Sequence, residues 1–244
     1  MPYKRSYASR YAQNKRRSTR GGFGAMLYGN RYLYGMRAPN PRPYQPRTSI
    51  NKYENKALTG ANASSLCRQE GQVYHLDQIE RGNQLGQALG QKHMVTAIHL
   101  RGTWKLPNNE NYDRPGYYLV WDRQPNEALA TPGDILDLTV GGADCSVAFP
   151  NQDNGSRFII IAKRESKAAN TNVNDDQYDP SMVWDVDEYH RLPRNLVATK
   201  TLGSASGLID NRVTGALLLL TFGKNTSVNS NPLEFQFRVY FQDV

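Results

Sequence analysis

Two cysteines in 244 residues, Cys67 and Cys145, exclude a disulfide framework and leave buried, reduced thiols as the expectation. Long apolar runs are missing too: residues 216–220 are five in a row, far short of the ~20 that a membrane helix requires. No apolar stretch marks a secretory leader at the N-terminus, so none is expected. The Gly-x-x-x-x-Gly-Lys-[Ser/Thr] phosphate loop and the Gly-x-Ser-x-Gly nucleophile elbow are both absent. His75, His93, His99 and His190 show no zinc-site spacing with the cysteines, although His93 and His99 would share one face of a regular strand. The expectation is a chain with no metal, no cofactor and no catalytic residue. It does not read as an enzyme.

Acid is the most telling absence. The first fifty-three residues hold twelve Lys or Arg and no Asp or Glu, whereas residues 54–244 hold eighteen basic and twenty-two acidic side chains. The formal +8 is therefore a strongly basic arm on a mildly acidic body. Rich in Gly, Pro, Ser and Asn and poor in aliphatic residues, the arm cannot bury enough surface to offset its ordering entropy, so residues 1–53 are expected to be disordered alone.

A basic arm needs a polyanion, and its tyrosines choose between nucleic acid and membrane. Eight of the fifteen Tyr lie here, with no Leu, Phe or Trp stripe of the kind that seats a helix in lipid. Arg and Lys neutralise phosphates and release counterions, while Tyr offers a flat face to unstacked bases. Single-stranded nucleic acid uses both. The candidate phosphate contacts are Lys4, Arg5, Arg10, Lys15, Arg16, Arg17, Arg20, Arg31, Arg37, Arg42 and Arg47, with Tyr7, Tyr11, Tyr32 and Tyr34 as stacking candidates. Lys15, Arg16, Arg17 and Arg20 also form a cluster of the nuclear-localisation type.

The body reads as strands. Eight segments are short, β-branched or aromatic, and bounded by Gly, Pro, Asn or Asp: 71–79, 92–106, 116–121, 157–163, 182–190, 195–202, 215–222 and 233–244. The last alternates, with Leu233, Phe235, Phe237, Val239 and Phe241 on one side. Residues 158–161 and 217–220 are continuous apolar runs, as expected of central strands covered on both faces. A short helix is expected over 132–138, and Trp104 and Trp121 as core or interface anchors. The expected class is all-β, an eight-stranded antiparallel jelly roll over 54–244 behind the 1–53 arm. Acids gather at Asp175, Asp176, Asp179, Asp185, Asp187 and Glu188. They fit a solvated loop and a strand edge that repels unwanted pairing, a two-metal nuclease, or a calcium site between subunits.

Five landmarks carry a family resemblance. They are Gly90-Gln-Lys-His-Met-Val-Thr-Ala-Ile-His-Leu-Arg-Gly-Thr-Trp104, Tyr118-Leu-Val-Trp-Asp-Arg-Gln-Pro125, Arg157-Phe-Ile-Ile-Ile-Ala-Lys163, Gly215-Ala-Leu-Leu-Leu-Leu220 and Phe237-Arg-Val-Tyr-Phe-Gln-Asp243. In order and spacing this series resembles the geminivirus coat proteins, over about residues 90–244. Only Cys67 and His75 stand where the whitefly-transmitted group carries a Cys/His cluster. The resemblance implies a capsid subunit of the virion that assembles with copies of itself into an icosahedral shell, single or twinned. It also implies single-stranded DNA as the packaged partner, host nuclear import machinery as a second, a host-nucleus location and no membrane. The related nuclear shuttle proteins are the alternative, and the terminal Arg-Val-Tyr-Phe-Gln-Asp favours the coat protein.

Overall fold

The computed structural model describes residues 55–106, 112–139, 144–169, 183–193, 195–225 and 232–244. Apolar residues at every second position bury one face of a strand. In β12 (Pro232–Asp243), Leu233, Phe235, Val239 and Phe241 are buried, while Glu234, Gln236 and Arg238 are exposed. On one side β12 pairs with β1 (Asn55–Leu66), and on the other with β3 (Lys92–Lys105). The free edge of β3 is shared by β8 (Val183–Arg191) and β9 (Val197–Lys200), and β9 carries β10 (Arg212–Thr214). These six strands form one antiparallel sheet.

A second antiparallel sheet runs in the order β2 (Gln72–His75), β11 (Ala216–Phe222), β5 (Gly116–Asp122), β6 (Phe158–Glu165). Both β5 and β11 are buried at every position, as their continuous apolar sequence demands. One core joins the sheets: Ile98, Leu100, Trp104, Val239 and Phe241 meet Leu119, Trp121, Leu217 and Leu219. A second core covers the opposite face of β5 and β11, where Val120, Leu218, Leu220 and Phe222 pack with Ile135, Leu136 and Cys145. Gly116 allows this packing, since a Cβ there would lie 2.3 Å from the Phe222 ring. The two-strand pair β4 (Tyr112–Asp113) and β7 (Ala168–Ala169) completes the strands described. The helix α1 is one turn, Pro132–Ile135, opened by Pro and held by Asp134, whose Oδ2 accepts from the Thr131 N–H and Oγ1–H.

Each of the eight expected segments holds a strand, but the described residues contain twelve strands, not eight. Residues 158–161 correct a further expectation. They lie in β6 at the edge of its sheet rather than at the centre, with Ile159 and Ile161 turned to the inter-sheet core and Phe158 and Ile160 to the second. Apolar sequence on both faces here reports two cores, not two strand neighbours. Cys67 and Cys145 are free and buried, as expected. Among the described residues no helix is long and apolar enough to cross a membrane.

Candidate functional site

The arm candidates, Lys4 through Arg47 with their four tyrosines, lie outside the described residues, as do Asp175, Asp176 and Asp179. What the structure fixes is where the chain leaves the arm. β1 begins at Asn55, paired with Gln242 near the C-terminal end of β12.

The six-stranded sheet has an open face, because the alternation that buries one side of β12, β3 and β8 turns polar residues to the other. Registry aligns them in rows across β1, β12, β3 and β8: Ala57, Tyr240, Ala97 and Arg191; then Thr59, Arg238, His99 and Tyr189; then Ala61, Gln236, Arg101 and Asp187. A shorter row follows with Glu234, Thr103 and Asp185. A groove of about 600 Å³ runs over the last two rows. Tyr189 is 60% exposed and meets both Tyr240 and His99 edge-on, with ring centroids 6.0 and 6.2 Å away. Arg238 Nε donates to Thr59 Oγ1 at 3.2 Å.

The acidic residues of β8 do not converge. Asp187 accepts from His99 Nε2 at 2.6 Å and lies 3.2 Å from Arg101 Nε, and the His99 bond with the Arg101 charge holds its carboxyl below the usual range. Asp185 accepts from Thr103 Oγ1 at 2.9 Å. Glu188 is on the other side of the strand, bonded to Arg164 Nε at 2.6 Å. No three His, Cys, Asp or Glu among the described residues could hold a metal ion. Among the described residues β8 pairs on one side only, with β3, as the edge-strand reading of its acids expects.

His93 and His99 do not share a face. The β3–β12 registry slips at Tyr240/Phe241, so Thr96 is an extra residue in β3; His93 points inward, fully buried, and His99 outward. Cys67 and His75 are also separate, with the Cys67 thiol pushed well up by burial and by Asp113, and His75 held by Asp77.

Around Asp77 the structure assembles a cluster that sequence reasoning missed. Its carboxylate is fully buried; Oδ1 accepts from His75 Nε2 at 2.8 Å and from the Leu217 N–H at 2.7 Å. Arg212, also fully buried, lies 3.5 Å from Oδ2, donates through Nη2 to the Asp77 carbonyl, and donates through Nη1 to His93 Nε2 at 3.2 Å. Burial alone would raise the Asp77 pKa, but Arg212 and His75 outweigh it and hold the carboxyl far below the usual range. Lys200, paired with Arg212 across β9 and β10, is buried with no hydrogen-bond partner for Nζ among the described residues; burial and then Arg212 lower its pKa to about 8. The only sequence signal was an acid between Leu76 and Ile79 in an apolar stretch.

Burial holds the His93 pKa below its ordinary 6.5, against the pull of Asp77, whose Oδ2 lies 3.4 Å from His93 Nε2 and favours the charged ring. The charges of Arg212, whose Nη1 lies 3.2 Å from the same nitrogen, and of Lys200 add to burial in opposing a protonated ring. A histidine kept neutral in the fold contributes stability above the unfolded value and loses it as pH falls, because the unfolded chain then takes the proton first. Half-buried His190, also lowered by burial, acts with the same sign. The urea midpoint is therefore expected to drop as pH falls from about 7 to 5. Replacing His93 by Gln, which keeps an acceptor for Arg212, should flatten that drop. An unchanged pH profile in His93→Gln would remove His93 as its cause.

No protein-family model matches this chain, and no curated protein matches it significantly.

Proposed function

We propose that this chain is a viral capsid subunit whose body is a jelly roll and whose basic arm packages single-stranded DNA. The observation that carries the reading is the nesting of the strand pairs. β1 pairs with β12, β2 with β11, β3 with β8, and β5 with β6. That is one long hairpin rolled over, so that alternate pairs fall into two facing four-strand orders, β1-β12-β3-β8 and β2-β11-β5-β6. Jelly rolls are built this way and serve capsids, lectins and cupin enzymes. The arm separates these uses. Twelve bases without an acid suit condensation of a polyanion, which neither sugar binding nor catalysis needs.

In this reading the body supplies the shell through contacts between copies. The arm neutralises phosphates without reading sequence, and before assembly Lys15, Arg16, Arg17 and Arg20 recruit nuclear import machinery. Negative-stain electron microscopy of the full-length protein with circular single-stranded DNA should show uniform closed shells, single or twinned. Irregular nucleoprotein at every salt and pH tried would overturn the capsid reading in favour of a DNA shuttle.

A further inference from the structure

Charge and aromatic character are segregated on the open face of the six-stranded sheet. Its acids, Asp185, Asp187 and Glu234, occupy one end, interspersed with Arg101 and Lys105. The other end carries Arg191 and Arg238 around Tyr189 and Tyr240, with no acid in those two rows, while His99 between them is bonded to Asp187 of the next row. Arg191 and Arg238 are exposed. Neither makes an ion pair among the described residues. The edge-on contact of Tyr189 and Tyr240, at 61° between planes, keeps the two rings from stacking on each other. Tyr189 is the more exposed ring and Tyr240 is half-buried beside it. An accessible ring next to an arginine that makes no ion pair is what an unstacked base and its phosphate require.

The first strand of the body, β1, begins at this same end. Asn55 pairs with Gln242 and Ala57 with Tyr240, so β1 enters the sheet beside the tyrosines. Lys52 and Tyr53 precede Asn55 by only three and two residues in the sequence. Nucleic acid bound by the last bases of the arm would therefore have its nearest basic, aromatic surface, counted along the chain, at this end of the sheet.

We infer that this end of the sheet is a second surface for single-stranded nucleic acid, on which Tyr189 and Tyr240 stack bases while Arg191 and Arg238 hold phosphates. The inference rests on the reading of the chain as a single-stranded DNA binder and adds to it a contact surface on the folded body. A second copy of the chain is the competing occupant, since opposite charges at the two ends would also let two sheets stack in antiparallel fashion. Continuity with the arm favours the nucleic acid.

The test uses the full-length chain and a fluorescent oligo(dT) probe, with ultraviolet crosslinking and mass spectrometry to map contacts. Crosslinks are expected at Tyr189 and Tyr240, and they should persist when Lys15, Arg16, Arg17 and Arg20 are all replaced by Gln. Tyr189→Leu with Tyr240→Leu, which keeps apolar cover over Ala97, should weaken binding at least about tenfold with the salt dependence unchanged. Arg191→Gln with Arg238→Gln should lower the slope of log affinity against log salt by about 1.4. Crosslinks confined to the arm, with both sheet variants binding as wild type, would overturn the inference and leave the arm reading intact. Absence of oligo(dT) binding by the wild-type chain would instead overturn both. Loss of self-association in the tyrosine variant with unchanged DNA affinity would assign the face to a second copy. A variant that melts early is set aside, and the wild-type crosslink map then decides.

Discussion

Replacing Asp77 by Asn is expected to cost about 3–5 kcal/mol of folding stability, the range for breaking a buried ion pair by removing one partner. The loss is large because Asp77 is the anion of a cluster that buries two cations, Arg212 and Lys200. Asn could still accept from His75 or Leu217 N–H, but it leaves both charges uncompensated in a medium where each costs several kcal/mol to desolvate. Domains of this size have roughly 5–15 kcal/mol in total, so urea denaturation should place the variant near the edge of folding at neutral pH. The double variant Asp77→Asn with Arg212→Gln supplies the check. It should be more stable than the sum of the two singles predicts, because removing the cation relieves what removing the anion exposed. Strict additivity would mean that the pair is not coupled and that the loss comes from packing alone. Asp187→Asn is the contrast. That carboxylate sits among His99 and Arg101 in solvent, and its replacement should leave the midpoint close to wild type.

The difference between those two aspartates shows what the sequence could and could not reveal. Periodicity located β12, β5 and β11 because burial there depends on residues adjacent in the chain. It missed β1, whose sequence NKALTGANASSL has little β-branched or aromatic content. That strand is made by pairing: ten residues align with β12, and the partner supplies what local propensity lacks. The Asp77 cluster was invisible for a related reason. Its members come from β2 and the turn just after it, β3, β9 and β10, with Arg212 135 residues beyond Asp77, so no local spacing could announce it. His93 and His99 would share a face only in a regular strand, and one inserted residue, Thr96, inverts the alternation between them. The outward residues of β12 were legible, but their rows with Arg191 and Tyr189 needed the registry. The arm is the reverse case, since charge composition needs no fold to be read.

Changing the first seven bases of the arm, Lys4, Arg5, Arg10, Lys15, Arg16, Arg17 and Arg20, to Gln should nearly abolish binding of single-stranded DNA at physiological salt. Each phosphate neutralised on a single strand contributes about 0.7 to the slope of log affinity against log salt. Seven contacts then contribute about 5, and a fourfold rise in salt weakens the wild-type complex by roughly a thousandfold. The neutralised chain should bind at low salt with a much shallower slope, so the gap between the two proteins is widest in dilute buffer. One base alone should matter little: a single Arg16→Gln changes the response to the same salt step by only about two- to threefold. This distributed response separates counterion release from a dedicated pocket, where one substitution would remove most of the affinity. Thermal stability of the body should be unchanged, since all seven positions lie outside residues 55–244 and none contributes to the cores described. Equal affinity and equal slope in the two proteins would mean that the bases of the arm are not the packaging element. The binding would then have to reside in a body that carries more acid than base.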